Sequence, residues 1–381
     1  MRYVKPHYYD DFQCAADKCP DTCCAGWQIV IDEEALERYA HGKGDFAMRL
    51  KNSIDWEEES FCQINGRCAM LNDNNLCDLV IAKGDEWLCK TCAGYPRHVE
   101  EFDGVRETSL SLSCPVVADN VLRKPNERMS FIVEEDEEDD PLADEFEDFD
   151  FLLFSQLEDA REILFAIIQN RQLSIEKRME LLMELAKELQ ECLDEERLFD
   201  MEDVCAKYAG YTDESVATDE VDMKSYINEN TFGKARKGFV VFGELERLRE
   251  DWSEVIACAK EELYSKEYVD YKSVQEEFYD QYVCNTMGKA EWEAFAEQIL
   301  MIFVYTYFCG AVYDDCIYSK VAMSVFSVFY IQEFIMAFWN RNNKKIDITD
   351  CIKLTYRYAR EIEHSDENLN MLEEYLMDNM N

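Results

Sequence analysis

Ten of the seventeen cysteines fall within the first 114 residues, in groups whose spacing could hold a metal. The first block, CAADKCPDTCC, reads Cys14-x4-Cys19-x3-Cys23-Cys24. The second reads Cys68-x8-Cys77-x11-Cys89-x2-Cys92, with Cys62 before it and Cys114 after it in SLSCP. A pair such as Cys89-x2-Cys92 can turn both sulfurs toward one ion, and a second close group can complete four-fold thiolate ligation. About forty residues separate the blocks, which permits one shared site or two.

Zinc and iron–sulfur clusters both accept an all-thiolate shell, so spacing does not choose between them. Only His98 lies near the second block, and His7 and His41 are not at ligand-like spacings. Mixed Cys/His zinc ligation is therefore not favoured. Cys-Pro steps at Cys19-Pro20 and Cys114-Pro115 match the step that closes the bacterial ferredoxin run, which tilts the expectation toward iron. Other chemistries leave no mark. The sequence has no Gly-x-Gly-x-x-Gly after a strand-like run, no Walker-type phosphate loop and no Cys-x3-Cys-x2-Cys triplet.

The elements that must position these thiols can be sketched from pattern. The chain opens MRYVKPHYYDDFQC, without an apolar signal region, so the expected compartment is the cytoplasm. Thiols stay reduced there, and clustered cysteines more often hold a metal than a disulfide framework. With 82 acidic against 39 basic residues the formal net charge is -43. Such a field repels phosphate backbones and anionic lipid, so neither nucleic acid nor membrane is an expected partner; cationic, lysine-bearing proteins are. The longest uncharged run, Ile299 to Tyr313, is shorter than the ~20 residues of a membrane span and reads as a buried core helix.

The expected fold class is mostly α, with a small loop-rich cysteine or metal domain at residues 1–133 followed by an α-helical bundle domain at residues 151–381. A last short strand is expected over Arg128 to Val133. Residues 134–150 carry twelve acids and no base, and read as an acidic linker. Beyond Phe151 the period is helical. Ile175, Met179, Leu182, Leu185, Leu189 and Cys192 fall on one face, with Ser174 placed as the cap. Trp292 to Trp339 is almost continuously apolar and should form the central helices.

CAADKCPDTCCAGWQIVID, then Cys68 and Cys77, then LCKTCAGYPRH and SLSCP, resemble the flagellin lysine-N-methylases, whose cysteine-rich module is described as zinc- or iron-chelating. The motif match covers roughly the first third of the chain. The resemblance implies methyl transfer from S-adenosylmethionine to lysine side chains of flagellin in the bacterial cytoplasm, with an iron–sulfur cluster on the cysteines. Carried over by position, the implied metal ligands come from Cys14, Cys19, Cys23, Cys24, Cys68, Cys77, Cys89 and Cys92. Eight thiolates exceed the four that one cubane needs, and neighbours such as Cys23 and Cys24 point apart, so two sites or some indirect cysteines are expected. Arg97, close behind Cys92, is a candidate for pairing with the donor's carboxylate. Tyr95 and His98 are candidates for removing the amine proton. The alternative is a non-enzymatic zinc- or iron-binding module whose helical domain docks a protein partner.

Overall fold

The expected amphipathic face is a helix, Ile175–Asp194, with all six of those apolar residues buried and Ser174 accepting from the Lys177 amide at 3.3 Å. The computed structural model describes residues 1–136, 149–212 and 229–379. Most of the expected acidic linker, residues 137–148, lies outside them. Within the described residues the chain is mostly α-helical, as the periodicity predicts.

One feature was not legible. The expected loop-rich region contains a four-stranded mixed sheet of β1 (Arg2–Pro6), β2 (Arg97–Phe102), β3 (Val105–Leu110) and β4 (Phe131–Glu135), in the order β2-β3-β1-β4. β1 runs parallel to β3 and antiparallel to β4, while β2 and β3 form an antiparallel hairpin turning at Asp103-Gly104. The strands escape a hydropathy reading because the buried positions of β3 include Glu107 and Ser109, which break the apolar alternation. β4 overlaps the strand expected over Arg128 to Val133.

Glu107 is buried because Arg161 pairs with it. Arg161 projects from helix α3 (Phe151–Ile168) and donates to both carboxylate oxygens at 2.6 and 2.5 Å; helices α1 (Lys90–Gly94) and α2 (Pro115–Leu122) precede it. This two-point pair locks the sheet to the helices. A second buried carboxylate, Glu297, takes Arg171 at 2.8 Å and Arg178 at 3.0 Å, joining α4 (Ile175–Asp194) and the turn before it to α5 (Lys289–Tyr307).

Two apolar cores result. The larger takes Val4, Phe102, Val105 and Leu110 from the sheet together with the helices. At its centre lie α5 and α6 (Ile317–Arg341). The stretches Lys289–Asp314 and Ile317–Arg341 are long and apolar enough to cross a membrane, but 89% and 78% of their apolar windows are buried inside the fold. They serve here as core helices. The smaller core gathers Ile29, Ile31, Tyr39, Leu50, Phe61, Met70 and Leu79, with Cys68 and Cys89 among them. Helix α7 (Ile348–Glu363), started by a reciprocal cap between Asp347 and Asp350, ends beside the cysteine-bearing segment.

Candidate functional site

Backbone pairing brings the two cysteine blocks together. The Cys68 amide donates to the Cys24 carbonyl at 2.9 Å, and the Gly26 amide donates to the Gly66 carbonyl at 2.9 Å. Cys24, Cys77 and Cys92 then pack against the small core that contains Cys68 and Cys89. The charge of each thiolate is felt by its neighbours: Cys92 by Cys89, Cys24 and Cys68, and Cys68 by Cys24, Cys77 and Cys89. Cys89 immediately precedes α1 and Cys92 sits one turn on; the interaction of the two thiols holds Cys89 low and Cys92 high. Burial pushes Cys68 up to about 12.

Cys23 touches this group through Cys24 and also reaches a second one. Its sulfur is 4.0 Å from that of Cys24, but its other thiol neighbours are Cys14 and Cys114. Cys114, at the start of α2, in turn feels Cys19 and Cys14. The ligand candidates thus divide between two neighbourhoods, with Cys114 joining the second. Among the described residues, no three His, Cys, Asp or Glu side chains already meet as the ligands of one metal ion do. By chemistry the first neighbourhood still suits a thiolate-bound group, since five sulfurs surround one apolar core and all-sulfur shells are what zinc and iron–sulfur clusters take.

Both blocks end on the wall of one cavity. Three residues after Cys24 comes Trp27, and three after Cys92 comes Tyr95; each lines a space of about 280 Å³. Lys90, Thr91 and Gly94 of α1, Pro96, Arg97 and His98 at the start of β2, Ser111 after β3, Thr306 and Tyr307 at the end of α5, and Glu363 and His364 at the end of α7 complete it. All three residues that the sequence singled out for donor or proton chemistry, Tyr95, Arg97 and His98, therefore share this cavity.

The polar groups on the wall form one network. Glu363 accepts from the Tyr307 hydroxyl at 2.9 Å on Oε1 and from the Ser111 hydroxyl at 2.8 Å on Oε2. The buried Ser113 hydroxyl links Ser111 at 2.5 Å, Tyr95 at 3.1 Å and His364 at 2.9 Å. Burial raises the Glu363 carboxyl above its ordinary value, against the opposing effect of its two hydroxyl donors. Burial and the nearby Arg360 and Arg249 charges lower His364 to about 3, so its ring is neutral at physiological pH. His98 shows the opposite balance. Burial lowers it, but the bond from its Nε2 to Glu100 at 2.6 Å and the charges of Glu100 and Glu363 outweigh that and raise it.

The rest of the wall is aromatic. The Trp27 and His364 rings lie 4.7 Å apart, Tyr95 stands edge-on to His364 at 5.5 Å, and Tyr307 lies 6.1 Å from His98. The exposed Arg97 guanidinium sits over the Phe12 and Tyr9 rings at 5.3 and 5.9 Å, which fixes it at the rim. Sequence reasoning missed Trp27, Tyr307, Glu363 and His364. A partial signal existed: the chain has only 4 histidines, and His364 follows directly on a strongly amphipathic helix.

A cavity walled by aromatic rings and holding a carboxylate is suited to a cationic amine. The family described as the FliB lysine N-methylase C-terminal domain matches residues 161–381, more than half of the chain, and the chain belongs to it. Tyr307, Glu363 and His364 lie within that range. The chain is 30% identical over 133 residues to the lysine-N-methylases of Salmonella choleraesuis (strain SC-B67) and Salmonella typhimurium (strain LT2). Each match covers 32% of this chain and 33% of the relative, so the chain spans about a third of the length of those proteins. The flagellar biosynthetic protein FliU of Salmonella muenchen is 28% identical over 132 residues, 32% of this chain and 78% of that protein. No solved structure matches.

Proposed function

We propose that this protein transfers a methyl group from S-adenosylmethionine to lysine side chains of flagellin in the bacterial cytoplasm. The observation that carries this reading is the shared cavity, where the ends of both cysteine blocks meet Tyr307 and Glu363 of the family-matched helices. An acidic protein with an aromatic, carboxylate-bearing cavity suits a lysine-rich partner.

A neutral amine has the lone pair needed to displace methyl from a sulfonium, so the chain's task is to deprotonate lysine and align it. Arg97 at the rim is placed for the donor's carboxylate. Of the two candidates for taking the amine proton, Tyr95 is held protonated by burial and serves better as wall than as base, and His98 has its Nε2 bonded to Glu100 at 2.6 Å. Cys24, Cys68, Cys77, Cys89 and Cys92 would hold an iron–sulfur cluster, with zinc as the alternative, and Cys14, Cys19 and Cys23 with Cys114 form the second thiol group. Such a cluster would supply a Lewis-acidic iron or a structural tie beside the cavity.

The test is intact-mass analysis of the cognate flagellin after incubation with anaerobically purified protein, with and without S-adenosylmethionine. Iron, sulfide and zinc are assayed on the same batch. Mass steps of one methyl group that need both donor and protein are expected. No step from a metal-replete batch would move the reading to a metal-binding scaffold that docks a partner.

A further inference from the structure

We infer that Glu363 receives the ε-ammonium of the substrate lysine in this cavity and accepts its proton; this assignment rests on the proposed lysine methylation.

Glu363 is held but not neutralised. Both oxygens are fixed, yet by neutral hydroxyls, Tyr307 on one side and Ser111 on the other. Among the described residues no lysine, arginine or histidine nitrogen pairs with it. His98 is near enough to be felt, but its Nε2 is committed to Glu100. Arg360, one turn back on α7, is taken by Asp21 at 2.8 Å. Lys90 and Arg97 also line the cavity, but among the described residues neither pairs with Glu363, and Arg97 lies over Phe12 and Tyr9. A carboxylate fixed in place, facing a cavity and without a paired cation is a receptor for one from outside. The Trp27, Tyr95 and Tyr307 rings supply the walls that favour an alkylammonium, and 280 Å³ lies at the lower edge of ordinary ligand pockets of about 300 Å³.

The same surroundings ease the proton transfer. An ammonium drawn out of water loses protons more readily, and burial makes Glu363 a stronger base, so the two move toward each other. The N–H proton passes to the carboxylate, the freed lone pair forms the N–CH3 bond, and the S–CH3 bond of the sulfonium donor breaks with its electron pair staying on sulfur. The products are an N-methylammonium and a neutral thioether. The proton on Glu363 then returns to solvent before the next turnover.

The test separates this assignment from the methylation reading. Isothermal titration of the full chain with Nα-acetyl-lysine N-methylamide, and with the norleucine analogue that lacks the ammonium, measures amine recognition without any donor. Wild type should bind the lysine probe and not the norleucine one. Glu363→Gln should weaken lysine binding on the order of 30-fold, the low end for removing one partner of a desolvated charge pair. Its far-UV circular dichroism and cooperative urea transition should match wild type, which shows that the variant is folded. Glu363→Asp keeps the charge, and should retain binding but slow kcat.

Equal affinity of wild type for the two probes, or lysine binding untouched in Glu363→Gln, overturns the assignment even if flagellin is methylated. Lysine binding lost in Glu363→Gln with no methyl transfer from wild type keeps the receptor and rejects the methylation reading.

Discussion

Arg360 Nη1 lies 2.8 Å from Asp21 Oδ2, so the residue midway between Cys19 and Cys23 is held by the last turn of helix α7. Arg249 meets the other oxygen of Asp21 at 3.0 Å, and Arg360 Nε donates to the Ser113 carbonyl at 3.1 Å. One carboxylate thereby sets the first cysteine block against the helix that ends in Glu363.

Asp21→Asn leaves two arginines without their shared anion, Arg360 among them at 2% exposure. Breaking a buried pair from one side costs about 3–5 kcal/mol. Urea unfolding should show a loss of that size, and a loss below 1 kcal/mol would mean that the pair does not hold the segment.

Glu333 gives a pH signature away from the site. Its carboxylate accepts from Tyr264 and Tyr271, both at 2.9 Å, and burial raises it to about 7 despite them. The native state therefore keeps a proton that the unfolded chain releases, so stability is lost as pH rises from about 4.5 to about 7. Glu333→Gln removes that loss. Relative to wild type, the variant should gain about 3 kcal/mol between pH 4.5 and pH 7.5. Denaturant titration of both proteins at the two pH values checks the sign, and a constant difference rejects it.

Arg97→Lys keeps the charge but loses the planar fork and its stacking on Phe12 and Tyr9. S-adenosylmethionine affinity, measured by titration calorimetry, should fall about tenfold, near 1.4 kcal/mol. Unchanged affinity would remove Arg97 from the donor site.

The division of the thiols predicts a division in metal content. Cys68→Ser and Cys89→Ser should purify anaerobically with the iron and sulfide of the first neighbourhood missing. Cys114→Ala should spare that iron and affect only metal held with Cys14, Cys19 and Cys23. Full iron in Cys89→Ser would show that the small core is not the binding place.

Much of this is legible in the sequence. Helix α4, its Ser174 cap and the apolar central helices follow from a 3.6-residue period, because a helix buries one stripe of its own residues. The two cysteine blocks were marked by residue type and spacing, and the YPRH segment by the family resemblance; Tyr95, Arg97 and His98 do line one cavity. The β3 strand was hidden, since Glu107 reads as surface until Arg161 is known to reach it.

The sequence by itself determined the helical periods, the thiol groups and the acidic surface, all properties of residues near one another along the chain. Only the tertiary structure decided that Trp27, Tyr95, Tyr307 and Glu363 face one space, and that Cys23 and Cys24, in contact with each other, add Cys14 and Cys114 on one side and Cys68 and Cys92 on the other. The physical reason is that spacing encodes which side of a helix or strand a residue takes. Which distant elements then meet is settled by burying apolar surface and pairing charges such as Asp21 with Arg360, and no local pattern records that.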